Sequence, residues 1–190
     1  QSYPEFLASL TKEKTRVVIA GSHGKTTITS MILHALRYHE IDTDFMVGAS
    51  VSKDSKTLAL SEENDFVLLE GDEYLSSALD RRPKFHWYKP DIAVLSGIAW
   101  DHINVFPTFE EYVKQFELFA DASPKGGSLI YSENEDLALY ICKKERDDVQ
   151  TIEYKALKND IIDGVTHLIT DFGKSNSGFI VSFVIAFGFL

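Results

Sequence analysis

Arg16-Val17-Val18-Ile19-Ala20-Gly21-Ser22-His23-Gly24-Lys25-Thr26-Thr27 runs from an apolar stretch through a glycine-flanked turn into an amphipathic segment. A short continuous apolar run closed by glycine reads as a strand buried on both faces, the pattern of a parallel sheet. From Thr26 onward Ile28, Met31, Ile32, Ala35, Leu36 and His39 recur at three- and four-residue steps, which predicts a helix laid on that sheet. The junction is suited to phosphate: the glycines let successive N–H groups point at one anion, the helix N-terminus adds partial positive charge, and Lys25 adds a full one. Gly21, Ser22, His23, Gly24, Lys25, Thr26 and Thr27 are therefore the expected cradle of a nucleotide phosphate, with the Thr26 hydroxyl offered to Mg²⁺. His23 is expected to line the loop rather than act as a base. The match to the longer phosphate-loop pattern is incomplete, since Ile19 stands five residues before Gly24 where a glycine belongs. The plain alternative is a glycine turn with a solvated lysine, which gives no reason for the strand-to-helix context.

Outward from this junction, further strand-like runs are Phe45 to Val47, Phe66 to Glu70, Ile92 to Ser96 and Ser128 to Tyr131. A second helix is predicted after Thr108, an N-cap with Glu111 three residues on, its apolar face made by Phe109, Val113, Phe116 and Ala120. Strands alternating with helices argue for an α/β domain with a mainly parallel sheet flanked by helices. Past Val149 the pattern changes. Thr151 to Tyr154, Gly164 to Thr170 and Gly178 to Phe187 are short strand candidates, separated by Lys158-Asn159-Asp160 and Gly173-Lys174-Ser175-Asn176, and suggest a small antiparallel β extension at the C-terminal end. The expected division is a linker over 1–15, the nucleotide-binding domain over 16–172 and an unassigned tail over 173–190.

A chain of 190 residues, 44% hydrophobic and 25% charged, is composed like an ordinary globular domain, which excludes disorder and fibrous repeats. With 19 basic against 29 acidic residues and a net charge of −10, generic attraction to nucleic acid or anionic membrane would need a local basic patch, and the sequence has none. The single cysteine, Cys142, reads as a small buried hydrophobe in a helix and fits a reducing, cytoplasmic compartment. No signal-peptide pattern opens the chain, and the apolar tail from Gly178 is shorter than the roughly 20 residues of a spanning helix. The opening at Gln1 and the close inside that tail lead us to expect a piece of a longer protein.

Two more clusters fall at the ends of predicted strands. Glu70-Gly71-Asp72-Glu73-Tyr74 closes the run from Phe66, where carboxylates beside a phosphate loop would serve a hard, oxygen-preferring Mg²⁺. Spacing leaves Glu70, Asp72 and Glu73 as alternatives for that role, beside a solvated acidic loop. Trp100-Asp101-His102-Ile103-Asn104 follows the run from Ile92 and so reaches the same sheet edge. His102 there would ligate metal or contact phosphate with Asp101 orienting its other ring nitrogen, or would be structural. His34, His39, His86 and His167 lie in helical or strand patterns without such neighbours.

The loop Ala20 to Thr27, the strand end Glu70 to Glu73 and the segment Ser96 to Tyr112 together resemble the central ATPase domain of the Mur ligases, the ATP-dependent amide-forming family of peptidoglycan synthesis. The resemblance covers about residues 1 to 170. Gly71-Asp72-Glu73-Tyr74, Asp80, Arg82, Lys84-Phe85, Tyr88 and Pro90 are similar to the recycling branch of the family. That branch joins UDP-N-acetylmuramate to L-alanyl-γ-D-glutamyl-meso-diaminopimelate; the alternative is the branch that adds L-alanine. The resemblance implies a mechanism in which ATP phosphorylates the muramate carboxylate and the amine attacks the acyl phosphate. It also implies that Lys25 neutralises the transferring phosphate, that Thr26 and Glu70 hold Mg²⁺, and that His102 with Glu70 holds a second ion. Asp72, Glu73, Tyr74 and Asn104 are expected on the substrate side. Members have an N-terminal domain for the UDP end and a C-terminal domain that closes over ATP, so further domains of the same polypeptide are the expected partners, and a nucleotide-binding domain inactive on its own is the alternative of another class. Three departures stand out. Asn104 replaces a common aspartate, Phe187-Gly188 runs into Phe189-Leu190 rather than the usual interdomain signature, and Glu117 stands fifteen residues after His102, where several members carry a carbamylated lysine. Glu117 is accordingly expected to supply that negative charge to the metal.

Overall fold

The computed structural model describes residues 1–50, 56–143, 146–155, 159–162 and 165–168. Its centre is a seven-stranded sheet in the order β3-β2-β4-β1-β5-β6-β7. The strands are β1 (Thr15–Ala20), β2 (Asp44–Met46), β3 (Leu58–Ala59), β4 (Phe66–Gly71), β5 (Ile92–Leu95), β6 (Ser128–Ser132) and β7 (Gln150–Tyr154). All neighbours pair in parallel except β3, which runs antiparallel on β2 at the edge. The α/β architecture with a mainly parallel sheet is thus as expected.

Side-chain alternation along the strands divides the core in two. Ile19, Leu68 and Val94 face one side, where α2 (Lys25–Tyr38) lays down Ile28, Ile32, Leu33 and Leu36. Val18, Ala20, Val67, Leu69 and Leu95 face the other, covered by α1 (Tyr3–Leu10), α3 (Phe85–Tyr88), α4 (Phe109–Asp121) and α5 (Asp136–Cys142). The stripe predicted for α2 is buried at Ile28, Ile32, Ala35 and Leu36 but ends before His39, which is exposed as the C-cap. On α4 the Thr108 side chain accepts from the Glu111 N–H at 3.2 Å as predicted, while the buried face centres on Tyr112, Phe116 and Phe119 rather than on Phe109 and Val113.

Residues 1–15, expected as a linker, contain α1. Ser2 and Glu5 form a reciprocal capping box, Pro4 sits in the first turn, and Leu7 is 1% exposed in the core. Thr151 to Tyr154, expected in an antiparallel extension, is instead the end strand of the main sheet, parallel to β6, because α5 carries the chain back across the sheet face. The antiparallel element is the pair β8 (Asn159–Ile162) and β9 (Val165–Leu168), so Asn159 and Asp160 lie in a strand rather than a turn. The strand candidate Gly178 to Phe187 and the tail 173–190 lie outside the described residues. Among the described residues no helix is long and apolar enough to cross a membrane.

Candidate active site

β1 is flanked by β4 and β5, and chain order reverses around it: β2 lies beyond β4, whereas β6 and β7 lie beyond β5. Such a reversal opens a crevice at the C-terminal ends of the strands. The three sequence clusters all emerge there, the loop from β1, Glu70 to Tyr74 from β4, and Ser96 to Asn104 from β5.

The loop is built by backbone geometry that side chains would obstruct. Gly24, the N-cap of α2, has φ 76°, and Gly21 has φ 139° with the Ser96 hydroxyl lying where its Cβ would stand. Ser96 Oγ donates to the carbonyls of Ala20 (3.2 Å) and His23 (3.0 Å), fastening the loop to β5. Ser22 is buried, accepts from the Ala99 N–H at 2.8 Å, and meets the Tyr112 hydroxyl at 2.8 Å. His23 and Thr27 are exposed.

Thr26 Oγ1 donates to Glu70 Oε1 at 2.9 Å, and the Gly48 N–H donates to Glu70 Oε2 at 2.7 Å. Both donors are neutral, and Glu70 is 6% exposed beside the phosphate loop. A hydroxyl and a carboxylate at contact distance form a hard-oxygen set that fits Mg²⁺. Among the described residues no three His, Cys, Asp or Glu side chains converge on one point, so such an ion would take its remaining ligands from phosphate and water.

Lys25 Nζ donates to the Gly21 carbonyl (2.7 Å) and the Ser22 carbonyl (3.4 Å) and pairs with Glu73 Oε2 at 2.7 Å. The other oxygen, Glu73 Oε1, lies 3.3 Å from His102 Nε2 and accepts from the Tyr112 hydroxyl at 3.4 Å. Glu73 is 0% exposed, so it is a buried hub joining the loop lysine, His102 and α4 rather than a substrate-facing carboxylate. Burial pushes the Tyr112 hydroxyl well above its ordinary range, with the Ser22 contact opposing, so it stays protonated and free to donate.

His102 sits at φ 55°, a left-handed conformation costing a non-glycine residue about 1–2 kcal/mol. Asp101 Oδ1 accepts the His102 N–H at 2.6 Å, while the His102 carbonyl accepts from Val105 (2.7 Å) and Phe106 (2.9 Å), which holds the turn. Asp101 was expected to orient the imidazole; its carboxylate is 3.9 Å from Nδ1, beyond hydrogen-bond range, so that part falls to Glu73. Tyr74 packs edge-on against His102 with centroids 5.1 Å apart, and Asn104 Nδ2 donates to the Tyr74 hydroxyl at 3.1 Å. Tyr74 and Asn104 thus zip the two strand-end loops together.

Asp72 turns away from this hub to pair with Lys84 at 2.5 Å. Partial burial raises its pKa, but the Lys84 ammonium and the Tyr74 N–H outweigh that and hold the carboxyl below its ordinary value. Glu117 accepts from Lys114 at 2.7 Å, three residues earlier on α4. That pairing on its own helix supplies the cation its half-buried carboxylate needs, and the expected role in metal binding gains no support. Sequence reasoning missed Tyr112, Gly48 and Ser96. Tyr112 could have been found as a polar-tipped aromatic on the buried face of α4; Gly48 and Ser96 follow from strand neighbours that a linear pattern does not contain.

Residues 19–177 match the model of the Mur ligase middle domain. The UDP-N-acetylmuramate--L-alanine ligase of Parabacteroides distasonis is 34% identical over 124 residues, 65% of this chain and 25% of that protein. Its counterpart from Rhodococcus erythropolis is 34% identical over 155 residues, 80% of this chain and 29% of that protein. The crystal structure of UDP-N-acetylmuramate:L-alanyl-gamma-D-glutamyl-meso-diaminopimelate ligase from Neisseria meningitides superposes with a TM-score of 0.73 at 20% identity, covering 96% of this chain and 63% of that one. The chain therefore spans about a quarter of the length of the curated relatives it matches.

Proposed function

Because the chain belongs to the Mur ligase family, matching its middle domain, we propose that it is the ATP-binding core of a ligase that joins the carboxylate of UDP-N-acetylmuramate to an amine. The carrying observation is the convergence of Lys25, Thr26, Glu70, Glu73 and His102 at the ends of three adjacent strands. In the reaction a carboxylate oxygen attacks the γ-phosphorus of ATP and ADP leaves. The amine nitrogen then attacks the acyl carbon, loses a proton, and expels inorganic phosphate.

The protein forms no covalent bond in this scheme, so positioning and charge neutralisation are its contribution. The N–H groups of the loop and the start of α2 bind the phosphates, and Lys25 offsets the charge that moves during transfer. Thr26 and Glu70 would hold Mg²⁺, which when bound offsets negative charge on the phosphate oxygens. His102, held by Glu73 and Tyr74 in the loop after β5, is our candidate for contact with the acyl group or a second ion.

For the amine we favour L-alanyl-γ-D-glutamyl-meso-diaminopimelate. The support is the segment from Asp72 to Tyr88, whose residues resemble the recycling branch and are locked by Lys84 on Asp72, Arg82 on Asp80, and Trp87 Nε1 donating to Asp80 Oδ2 at 2.9 Å. L-alanine is the second reading, favoured by the curated relatives at 34% identity. Turnover of ATP by the complete polypeptide, assayed with UDP-N-acetylmuramate and each amine in turn, tests both. Hydrolysis independent of both substrates would overturn the ligase reading, and preference for L-alanine would select the second.

A further inference from the structure

Lys25 is the one side chain of the loop that brings a full positive charge, yet its donors are directed at the Gly21 carbonyl, the Ser22 carbonyl and Glu73. Glu73 is itself firmly placed. Its side chain is 1% exposed, it follows β4 directly, and its second oxygen is held between His102 and Tyr112. A phosphate seated on the loop and the Glu73 carboxylate would compete for the same ammonium, because Lys25 has three donor protons and two are already directed at backbone carbonyls.

We propose that Glu73 is a positioning residue that competes with nucleotide phosphate for Lys25, setting the affinity of the loop from behind. The proposal rests on the reading of Gly21 to Thr27 as a phosphate loop. The Lys25 side chain is 13% exposed, so its pairing with Glu73 is largely shielded from solvent and salt. Removing the negative charge while keeping the shape frees Lys25 for phosphate. A residue with a merely structural part would have the opposite effect, since loosening the loop weakens phosphate binding.

The test is calorimetric titration of the 190-residue chain with Mg-ADP, in wild type, Glu73→Gln, Lys25→Ala and the double variant. Glu73→Gln should bind Mg-ADP roughly fivefold more tightly, the effect of releasing one charge-assisted hydrogen bond. Lys25→Ala should bind about tenfold more weakly. In the double variant the gain from Glu73→Gln should vanish, because it acts through the lysine. Unchanged or weaker binding by folded Glu73→Gln, or a gain that persists without Lys25, overturns the proposal. Equal binding by wild type and Lys25→Ala would instead overturn the phosphate-loop reading. Should Glu73→Gln fail to fold, nitrogen NMR of the wild-type lysine ammonium groups decides: a slowly exchanging Lys25 signal that shifts on adding Mg-ADP is expected, and a fast-exchanging one sinks the proposal.

Discussion

Thr26 Oγ1 and Glu70 Oε1 lie 2.9 Å apart, joining the first turn of α2 to the end of β4 across the sheet edge. Gly48 makes that contact dependent on a third strand: its N–H holds Glu70 Oε2, and a Cβ on it would come within 2.6 Å of Glu70 Oε1. The displaced group is the tip of a side chain, which can swing, so the fold should tolerate Gly48→Ala within about 1 kcal/mol. Glu70 would nevertheless be pushed off the Thr26 hydroxyl. Gly48→Ala should therefore raise the Mg²⁺ concentration needed for half-maximal turnover while leaving the urea midpoint close to wild type; an unchanged Mg²⁺ requirement would remove Glu70 from the metal site.

Lys25→Ala should lower ATP-dependent turnover of the complete ligase by at least about 10²-fold, the loss associated with one preorganised transition-state charge. The pairing with Glu73 adds a stability effect. Taking away the ammonium leaves a buried carboxylate without its cation, at a cost of about 1–3 kcal/mol, and replacing Glu73 by glutamine in the same chain should restore part of it. Denaturant unfolding of both variants checks this. Wild-type turnover by Lys25→Ala would remove the lysine from phosphate transfer.

The fold was legible where local pattern and tertiary context agree. The apolar run into β1, the stripe of α2 and the cap at Thr108 each specify an element without reference to distant residues. Ser2, Pro4 and Glu5 form an equally local start signal, and α1 could have been read from them. The placement of β7 could not, because a five-residue strand looks the same whether it pairs antiparallel or follows a crossover helix. At the site, the strand-end positions of Lys25, Glu70 and His102 were readable from sequence. The partners were not: spacing offers Asp101 to His102 because it is adjacent, whereas the left-handed turn sends the imidazole to Glu73, 29 residues away in the chain.

Glu70 and Glu117 should separate cleanly on substitution. Glu70 has neutral donors and faces Thr26, whereas the Glu117 carboxylate is paired with Lys114 on α4. Glu70→Gln removes the charge that Mg²⁺ would meet and should cost at least about 10²-fold in turnover. Glu117→Gln loses only a partly exposed pair within one helix and should leave turnover within about twofold of wild type. Kinetics of the two variants with added bicarbonate provide the check, and a large loss in Glu117→Gln would return that residue to the metal site.

His86 gives the stability of the fold a dependence on mildly acidic pH. It lies on α3, its Nε2–H donating to the Gln115 carbonyl at 3.1 Å, and its ring packs on Phe85 with centroids 4.9 Å apart. Burial lowers its pKa from 6.5, the Gln115 carbonyl opposes that shift, and the Arg82 charge adds to the lowering. The unfolded chain therefore takes up this proton at a higher pH than the folded chain does. As pH falls from 6.5 towards the folded value, the unfolded state binds more protons and stability declines; below the folded value both states are protonated and the contribution is level. The stabilising, neutral form is fully present above 6.5. Urea midpoints measured from pH 7.5 downward in about half-unit steps should show this decline in wild type. His86→Gln is uncharged throughout and can still donate to the Gln115 carbonyl, so it should flatten the profile in that window without loss at neutral pH. A decline of the same size in the variant would assign the effect to another group.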